Sequence, residues 1–190
     1  MSNNAKITIE TFKTVTKAIA QSANLDIMTN HLTQLLVTAL DIKGCAIYVL
    51  DLETKQLEIL ASFGLSPKYL TKGPLFADKS IAASLKSEPV IVPDVSSDKN
   101  LQYPDAAKKE GIAAILSIPI RFLNEILGEL RLYHYEVWHI SDEDLDSLHL
   151  LAENIGLAMT YTSLLNALTT ISEVIHTALP VTLIPEFKRR

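Results

Sequence analysis

Residues 112–137 read IAAILSIPIRFLNEILGELRLYHYEV, two apolar runs separated by a short polar turn. The first run, residues 112–122, is interrupted by Pro119, and the second run, residues 126–137, alternates apolar and polar side chains. Alternation with a period of two residues is typical of a β-strand. The stretch therefore predicts an antiparallel hairpin with its turn at residues 123–125.

The second strand of this hairpin separates its side chains onto two chemically different faces. Leu130 and Leu132 share one face, which we expect to pack against helices. The opposite face is polar and aromatic, and it carries Glu129, Arg131, Tyr133 and Tyr135. An aromatic wall with a few polar groups is typical of small-molecule pockets, so we expect this second face to look toward a pocket.

Further strands are predicted on the N-terminal side of the hairpin. Residues 45–51 are dense in strand-forming residues and residues 56–63 alternate, so together they predict a second hairpin. Residues 90–95 form a short strand, and Pro93 favours an edge position because proline cannot donate to a ladder. Short helices fill the remaining segments, and they are predicted at residues 65–79 (a helix or a loop), 81–86 and 105–110.

Long helices are predicted at both ends of the chain. Residues 8–20 carry apolar side chains at helical spacing, and a second helix begins at Leu25. Ser141 and Asp144 fit a capping box that begins a helix over residues 142–179. This order predicts an α+β fold with a central antiparallel sheet of five or six strands. We expect helices to cover both faces of this sheet.

Six stretches of the chain resemble motifs of the GAF family of sensor domains. They are CAIYVLD (45–51), LEILASFGLSPKY (57–69), PVIVPDVSSD (89–98), KKEGIAAILSIPI (108–120), EILGELRLYH (125–134) and HISDEDLDSLHLLAENIGLAM (139–159). The resemblance implies a GAF- or PAS-like sheet with long N- and C-terminal helices on one face and short helices covering a ligand pocket on the other. It also implies dimers formed through the first and last helices. It divides the chain into an N-terminal dimerisation or signalling helix (1–23), a GAF domain (24–160) and a C-terminal helix extension with a tail (161–190).

The resemblance also implies which residues line the pocket. Carried over by position, they are Phe63, Ile81, Asp94, Tyr103, Ala107 and Ser117, with Arg131 and Tyr133 from the strand described above. Arg131 could pair with a carboxylate or phosphate of the ligand, since its planar guanidinium matches both groups. The sequence equally allows an internal partner, Glu129 or Asp94, or plain solvent at an open sheet face.

A heptad seam follows the part of the last helix that suits packing on the sheet. Leu157, Tyr161, Leu164, Leu168, Ile171 and Ile175 alternate steps of four and three residues. Such a pattern is typical of helices that pair along their length. We predict a homodimer interface from this seam together with Phe12, Val15 and Ile19 of the first helix. The alternative is that the seam packs back on the first helix of the same chain.

Composition argues against several other classes of function. The formal net charge is -5 over 190 residues, which does not favour nucleic acid or an anionic membrane as partner. Cys45 is the single cysteine, and the five histidines lack the spacing of a metal site. No glycine-rich phosphate loop is present, and no apolar run approaches the ~20 residues of a membrane helix. We expect a cytoplasmic protein without metal or cofactor.

An enzymatic role is not expected. One branch of the family reduces free methionine sulfoxide with a nucleophilic and a resolving cysteine, and Cys45 alone cannot form that pair. Covalent bilin binding needs a cysteine that residues 66–110 lack. Cyclic-nucleotide-binding members carry a signature of which only the second half matches here, at Trp138, Asp142 and Glu143, and these residues also fit an ordinary helix start.

These observations predict a non-enzymatic sensor domain that binds an unidentified small molecule, dimerises through its terminal helices and transmits the signal along them. Two alternatives stay open at this point. One is a GAF fold kept as a dimerisation scaffold without a ligand, and the other is a relative of the sulfoxide reductases.

Overall fold

A computed structural model describes residues 7, 9–21, 24–76, 88–123 and 125–178. The helices among them are α1 (Ile9–Gln21), α2 (Leu25–Leu40), α3 (Pro67–Leu70), α4 (Pro104–Glu110) and α5 (Asp142–Ala178). The strands are β1 (Gly44–Leu50), β2 (Gln56–Phe63), β3 (Leu75–Phe76), β4 (Val90–Val92), β5 (Ala114–Phe122) and β6 (Glu125–His134). The predicted helix at 81–86 lies outside the described residues.

The strands form one six-stranded sheet in the order β3-β2-β1-β6-β5-β4, and every neighbouring pair is antiparallel. Both predicted hairpins are present, and β4 is an edge strand that ends immediately before Pro93, as proline at an edge requires. The α+β fold class is confirmed.

Several details of the sheet differ from the sequence-based expectation. β4 ends at Val92 instead of residue 95, and β5 begins at Ala114 instead of residue 112. β3 was not predicted, because two residues are too few to show a period of two. β6 ends at His134 instead of residue 137. Tyr135 lies beyond the ladder, where its hydroxyl donates to Asp41 over 3.0 Å.

One face of the sheet packs against α2 and α5 and forms the larger core, called here the helix-facing core. Leu130 and Leu132 of β6 belong to it, which confirms the face assignment made from the alternation. The helices contribute buried side chains at helical spacing, including Leu32, Leu36 and Leu40 of α2 and Leu148, Ala152 and Ile155 of α5. Cys45 and Ile47 of β1 fill the same layer.

The start of α5 is fixed by its predicted cap. The Ser141 hydroxyl accepts a hydrogen bond from the backbone N–H of Asp144 over 3.1 Å, which satisfies one of the unpaired donors of the first turn. The Asp144 carboxylate in turn accepts from the backbone N–H of Ile7 over 2.7 Å. The cap therefore ties the segment that precedes α1 to the beginning of the last helix.

Gly156 lets α5 lie directly on the backbone of β5. A Cβ atom at this position would lie 2.0 Å from the carbonyl oxygen of Arg121, far inside contact distance. The nearest atom is backbone, which cannot rotate away, so only glycine permits this separation of helix and strand. The contact fixes the height of α5 above the sheet at the last turn before the helix leaves it.

We expect Gly156→Ala to lower the free energy of unfolding by about 2 kcal/mol, because overpacking outweighs the ~1 kcal/mol gained in helix propensity. Urea unfolding followed by circular dichroism measures the change. Glu153→Ala, an exposed position one turn earlier, is the matched control and should stay within about 0.5 kcal/mol of the parent. If the two variants are equally stable, the contact between α5 and β5 leaves room for a Cβ atom at position 156.

Candidate functional site

The face of the sheet opposite α2 and α5 carries a cluster of three tyrosines. Tyr48 of β1 and Tyr133 of β6 are fully buried, and their hydroxyl oxygens are 3.0 Å apart. Tyr69 of α3 packs its ring edge-on against Tyr133, with ring centroids 5.6 Å apart. With the polar residues beside them, Glu129 and Arg131, these side chains form a buried layer on this side of the sheet, called here the tyrosine face.

Arg131 is buried beside Glu129, to which it is joined by a two-pronged ion pair. Its Nε donates to Oε1 over 2.9 Å and its Nη2 donates to Oε2 over 3.0 Å. Ser117 adds a hydrogen bond to the same carboxylate, and the guanidinium carbon lies 5.4 Å from the Tyr48 ring centroid. Of the alternatives for Arg131, the internal partner Glu129 is confirmed. The pair is formally neutral as a unit.

Electrostatics keep this cluster in one protonation state. Burial raises the pKa of Tyr133 well above its ordinary value, and it also raises the pKa of Tyr48. Burial alone would lower the pKa of Arg131, but the Glu129 carboxylate outweighs it and the net shift is upward. At neutral pH the tyrosines are therefore neutral hydroxyls and the guanidinium is charged.

Lys72 lies at the rim of the tyrosine face. Its Nζ is 3.9 Å from the Tyr69 ring centroid and 5.9 Å from that of Tyr103, and it donates to the Tyr69 carbonyl over 3.1 Å. Partial burial, followed by the nearby charge of Arg131, lowers its pKa to about 8, against an opposing pull from Glu110. Lys72 is thus a half-buried ammonium group close to its titration point at physiological pH.

Glu110 itself is bound to other groups. Its carboxylate accepts from the backbone N–H of Ser66 over 2.7 Å and from the Ser66 hydroxyl over 2.5 Å. Lys43 forms an ion pair with it at 3.8 Å. These contacts join the end of α4 to the start of α3 and hold the short helices over the sheet.

The structure gathers four of the predicted pocket residues at the tyrosine face. Ala107, Ser117, Arg131 and Tyr133 are buried there or in the layer that covers it. Tyr103 packs partly on the same cluster, and its hydroxyl donates to the Pro74 carbonyl over 2.9 Å.

Two other predicted residues do not join this group. Asp94 is used in a local turn, where its carboxylate accepts from the backbone and hydroxyl of Ser96. Phe63 pairs in register with Cys45, a residue of the helix-facing core, so it belongs to the opposite side of the sheet. The cause is a bulge between Ile47 and Tyr48. Ile81 lies outside the described residues.

Sequence reasoning missed Tyr48, Tyr69 and Lys72 as members of the site. Tyr48 could have been found, because it faces Glu129 across the β1–β6 ladder and shares the face of that residue. Tyr69 and Lys72 come from a short helix and the turn after it, for which strand alternation gives no orientation.

The single cysteine is sealed inside the helix-facing core. Cys45 is 0 % exposed, and burial raises the pKa of its thiol far above the ordinary range. A thiol in this environment is a small hydrophobic side chain and not a nucleophile. In the described part of the chain, no three histidine, cysteine, aspartate or glutamate side chains group as metal ligands would.

The second candidate surface is the exposed stripe on α5. The helix leaves the sheet beyond Met159, and from Leu157 onward it carries large apolar side chains that are 41–61 % exposed. They are Leu157, Tyr161, Leu164, Leu165, Leu168, Ile171, Val174 and Ile175. The seam therefore does not pack back on α1. No helix within the described ranges is long and apolar enough to cross a membrane.

Two of the α1 residues predicted to share this interface pack instead against the core of their own chain. Val15 is 1 % exposed in the helix-facing core, and Ile19 packs partly against the same core. Val15 therefore stabilises its own chain, because α1 lies against α2 and the sheet-bound part of α5. The side chain of Phe12 lies outside the described residues.

The sheet, its two covered faces and the long closing helix define the α+β architecture of a GAF domain. The family model for the GAF domain matches residues 22–160, and the chain belongs to that family. No curated protein sequence matches the chain.

Solved structures of similar fold include domains from two bacterial phosphotransferases and one reductase. The GAF domain of a phosphoenolpyruvate-protein phosphotransferase from Coxiella burnetii has a TM-score of 0.76 at 20% identity, over 87% of this chain and 99% of that one. The corresponding Acinetobacter domain has a TM-score of 0.72 at 19% identity, over 86% and 96%. Free methionine-R-sulfoxide reductase from Neisseria meningitidis has a TM-score of 0.72 at 14% identity, over 86% and 94%. At these identities the likeness concerns the fold.

Glu129→Gln should cost about 3–5 kcal/mol of folding free energy, because it leaves the buried Arg131 charge without its counter-charge. Glu125→Gln, at the exposed start of the same strand, is the control and should change stability little. Urea unfolding measures both variants. A double variant, Glu129→Met with Arg131→Met, should recover most of the loss, since it removes both charges together. A Glu129→Gln protein as stable as the control would contradict the ion-pair assignment.

Proposed function

We propose that this GAF domain is a non-enzymatic sensor that dimerises through α5 and binds a small molecule at the tyrosine face. The observation that carries the proposal is the apolar stripe on α5, exposed on a helix that continues well past the sheet. From residue 160 to Ala178 the helix extends by about 28 Å. A sheet-bound helix has no structural need for such an extension.

The stripe has the pattern of a helix-pairing surface. Its core residues repeat in steps of four and three from Leu157 to Ile175, which is heptad spacing. Monomeric proteins rarely expose a contiguous apolar patch of more than a few hundred Å². Eight large apolar side chains on one side of a helix form such a patch, so a partner that covers it is favoured over a monomer in water.

A second copy of the chain is the partner that suits the stripe best. Between Leu157 and His176, only Glu173 and His176 are acidic or basic, so the surface offers almost no charge for a differently charged partner to recognise. Two identical apolar stripes match each other through a two-fold axis, the commonest symmetry of homo-oligomers. The flanking positions, such as Leu165 and Val174, are apolar too and widen the contact.

The same helix can connect the two surfaces. α5 contacts β5 through Gly156 at backbone distance and then becomes the seam. A ligand that favours one curvature of the sheet would therefore shift the helix at this contact. Coupling of this kind requires that the ligand bind one helix arrangement better than the other.

A sulfoxide reductase activity is not proposed, although one structure of similar fold is such a reductase. The single cysteine lies in the helix-facing core, on the opposite side of the sheet from the tyrosine face. Its thiol is sealed from solvent and cannot meet a substrate held at that face.

A ligand-free dimerisation scaffold is the second candidate function. The observation that favours it is the internal neutralisation of Arg131 by Glu129, which removes the most obvious anchor for a charged ligand. A thermal-shift screen against metabolites separates the two functions. A ligand at many times its Kd raises the midpoint of unfolding, whereas a scaffold responds to none.

Replacing Leu168 and Ile171 together by Glu should convert a dimer into a monomer, because four like charges would be buried at the centre of the seam. Sedimentation equilibrium measures the mass of the parent and the variant. Asn166→Glu, on the outer side of the same helix, is the control and should remain dimeric. A parent protein that is monomeric at micromolar concentration, or a dimeric double variant, contradicts the interface.

The Cys45 thiol should react with Ellman's reagent at least a hundredfold more slowly in the folded protein than in 6 M guanidinium chloride, since reaction requires opening of the core. Absorbance at 412 nm follows the reaction. Rapid modification of the folded protein would instead indicate an accessible, reactive cysteine and would reopen the question of thiol chemistry.

A further inference from the structure

The apolar stripe of α5 begins before the helix leaves the sheet. Counting back from Leu157 in the same steps of three and four residues gives Asn154 and Leu150. Leu150 is 50 % exposed, although α5 still packs on the sheet at this level through Leu148 and Ala152. The outer side of the sheet-bound helix therefore continues the stripe over the domain itself.

With these two positions the seam reaches the length of a coiled coil. From Leu150 to Ile175 it covers about 38 Å of helix, or roughly three and a half heptads, and a sustained pattern of about three to four heptads is typical of paired helices. In heptad notation Leu150, Leu157 and Leu164 are d positions and Asn154 is an a position. Leucine at d with a single asparagine at a is typical of two-stranded pairs.

Asn154 is the polar position of an otherwise apolar and aromatic seam. Its Nδ2 donates to the Leu150 carbonyl over 2.8 Å. An asparagine amide has a second N–H and a carbonyl oxygen, and among the described residues neither group of Asn154 has a partner. The side chain is half-buried in one chain, so a partner helix laid over Leu150 and Leu157 would remove it from water.

The orientation of the partner helix decides whether this amide is satisfied. In a parallel pair each seam residue meets its own copy, so the two Asn154 amides can donate to each other's Oδ1 atoms. In the antiparallel register that keeps the seam together, Leu150 meets Ile175 and Asn154 meets Ile171. The amide would then face an aliphatic side chain at two places in the dimer, and a buried polar group without a hydrogen bond is costly.

We propose that Asn154 fixes the α5 pair as a parallel, in-register dimer whose interface extends over the sheet-bound part of the helix to Leu150. The inference rests on the proposed dimer and adds its orientation, its extent and the residue that selects them. Parallel pairing also brings the Gly156 contacts of the two copies to the same level of the pair. Selection of register by a buried polar residue lowers the stability of the pair while it excludes the alternatives.

Disulfide cross-linking of Leu150→Cys and Ile175→Cys measures the orientation. Oxidised glutathione is the oxidant, and cross-linked dimer is measured on a non-reducing gel. A disulfide requires the two Cα atoms to lie within about 7 Å, whereas an antiparallel pair separates the two copies of residue 150 by about 38 Å. We expect each variant to cross-link with itself. The unsubstituted protein is the blank, because Cys45 is sealed in the core.

Co-expression of the two cysteine variants with tags of different size tests the opposite orientation. An antiparallel dimer would give neither self-linked product and would link position 150 to position 175 between chains. That result overturns the inference and leaves the α5 dimer intact. A dimer that gives none of these products overturns the extension of the interface to Leu150. A parent protein that sediments as a monomer instead contradicts the proposed dimer itself.

Asn154→Leu tests the role of the amide. We expect the Kd of the dimer to fall at least tenfold by sedimentation equilibrium, because an apolar a position replaces the polar one. In the cysteine variants the same substitution should allow the 150–175 product to appear beside the self-linked ones. Asn166→Leu, on the exposed outer side of the helix, is the matched control and should change neither result. An Asn154→Leu protein that keeps the parent's Kd and its single orientation overturns the assignment of Asn154.

Discussion

The register of β6 determines what each face of the sheet can do. Its side chains alternate between the helix-facing core, which receives Leu130 and Leu132, and the tyrosine face, which receives Arg131 and Tyr133. A slip of one residue would exchange the two sets and place a guanidinium among the leucines of α2 and α5. Burial of an unpaired charge is so costly that the alternation and the Arg131–Glu129 pair fix the register together.

That alternation is also what made the fold predictable from sequence. Period-two patterns in β2 and β6, the apolar run of β5 and the Ser141 cap of α5 are local signals, and the structure reproduces their positions within a few residues. The site was less predictable because its members meet through long-range packing. Lys72 reaches the tyrosines only through the turn after α3, and no spacing in the sequence predicts that contact.

Phe63 shows how one local irregularity changes a site prediction. An unbroken β1–β2 ladder that continued from Leu50 and Leu57 would place Phe63 on the face of Tyr48. The bulge between Ile47 and Tyr48 advances the pairing by one residue, so Phe63 lies opposite Cys45 instead. Sequence alternation in β2 alone cannot reveal a bulge, because the shift depends on the partner strand.

The stability of the α5 extension depends on what covers it. Isolated helices shorter than about 12–15 residues are marginal in water, and longer ones of ordinary composition gain most of their stability from packing of an apolar face. The extension contains several β-branched residues, such as Thr169, Thr170 and Ile171, which are weak helix formers. Without a partner its helicity would therefore be low, while pairing through the seam would order it. Because the helicity of the extension depends on this pairing, a small shift of α5 at Gly156 would change the extension of the proposed dimer more easily than any other element. The Gly156 contact therefore lies between the sheet and the part of α5 that would pair.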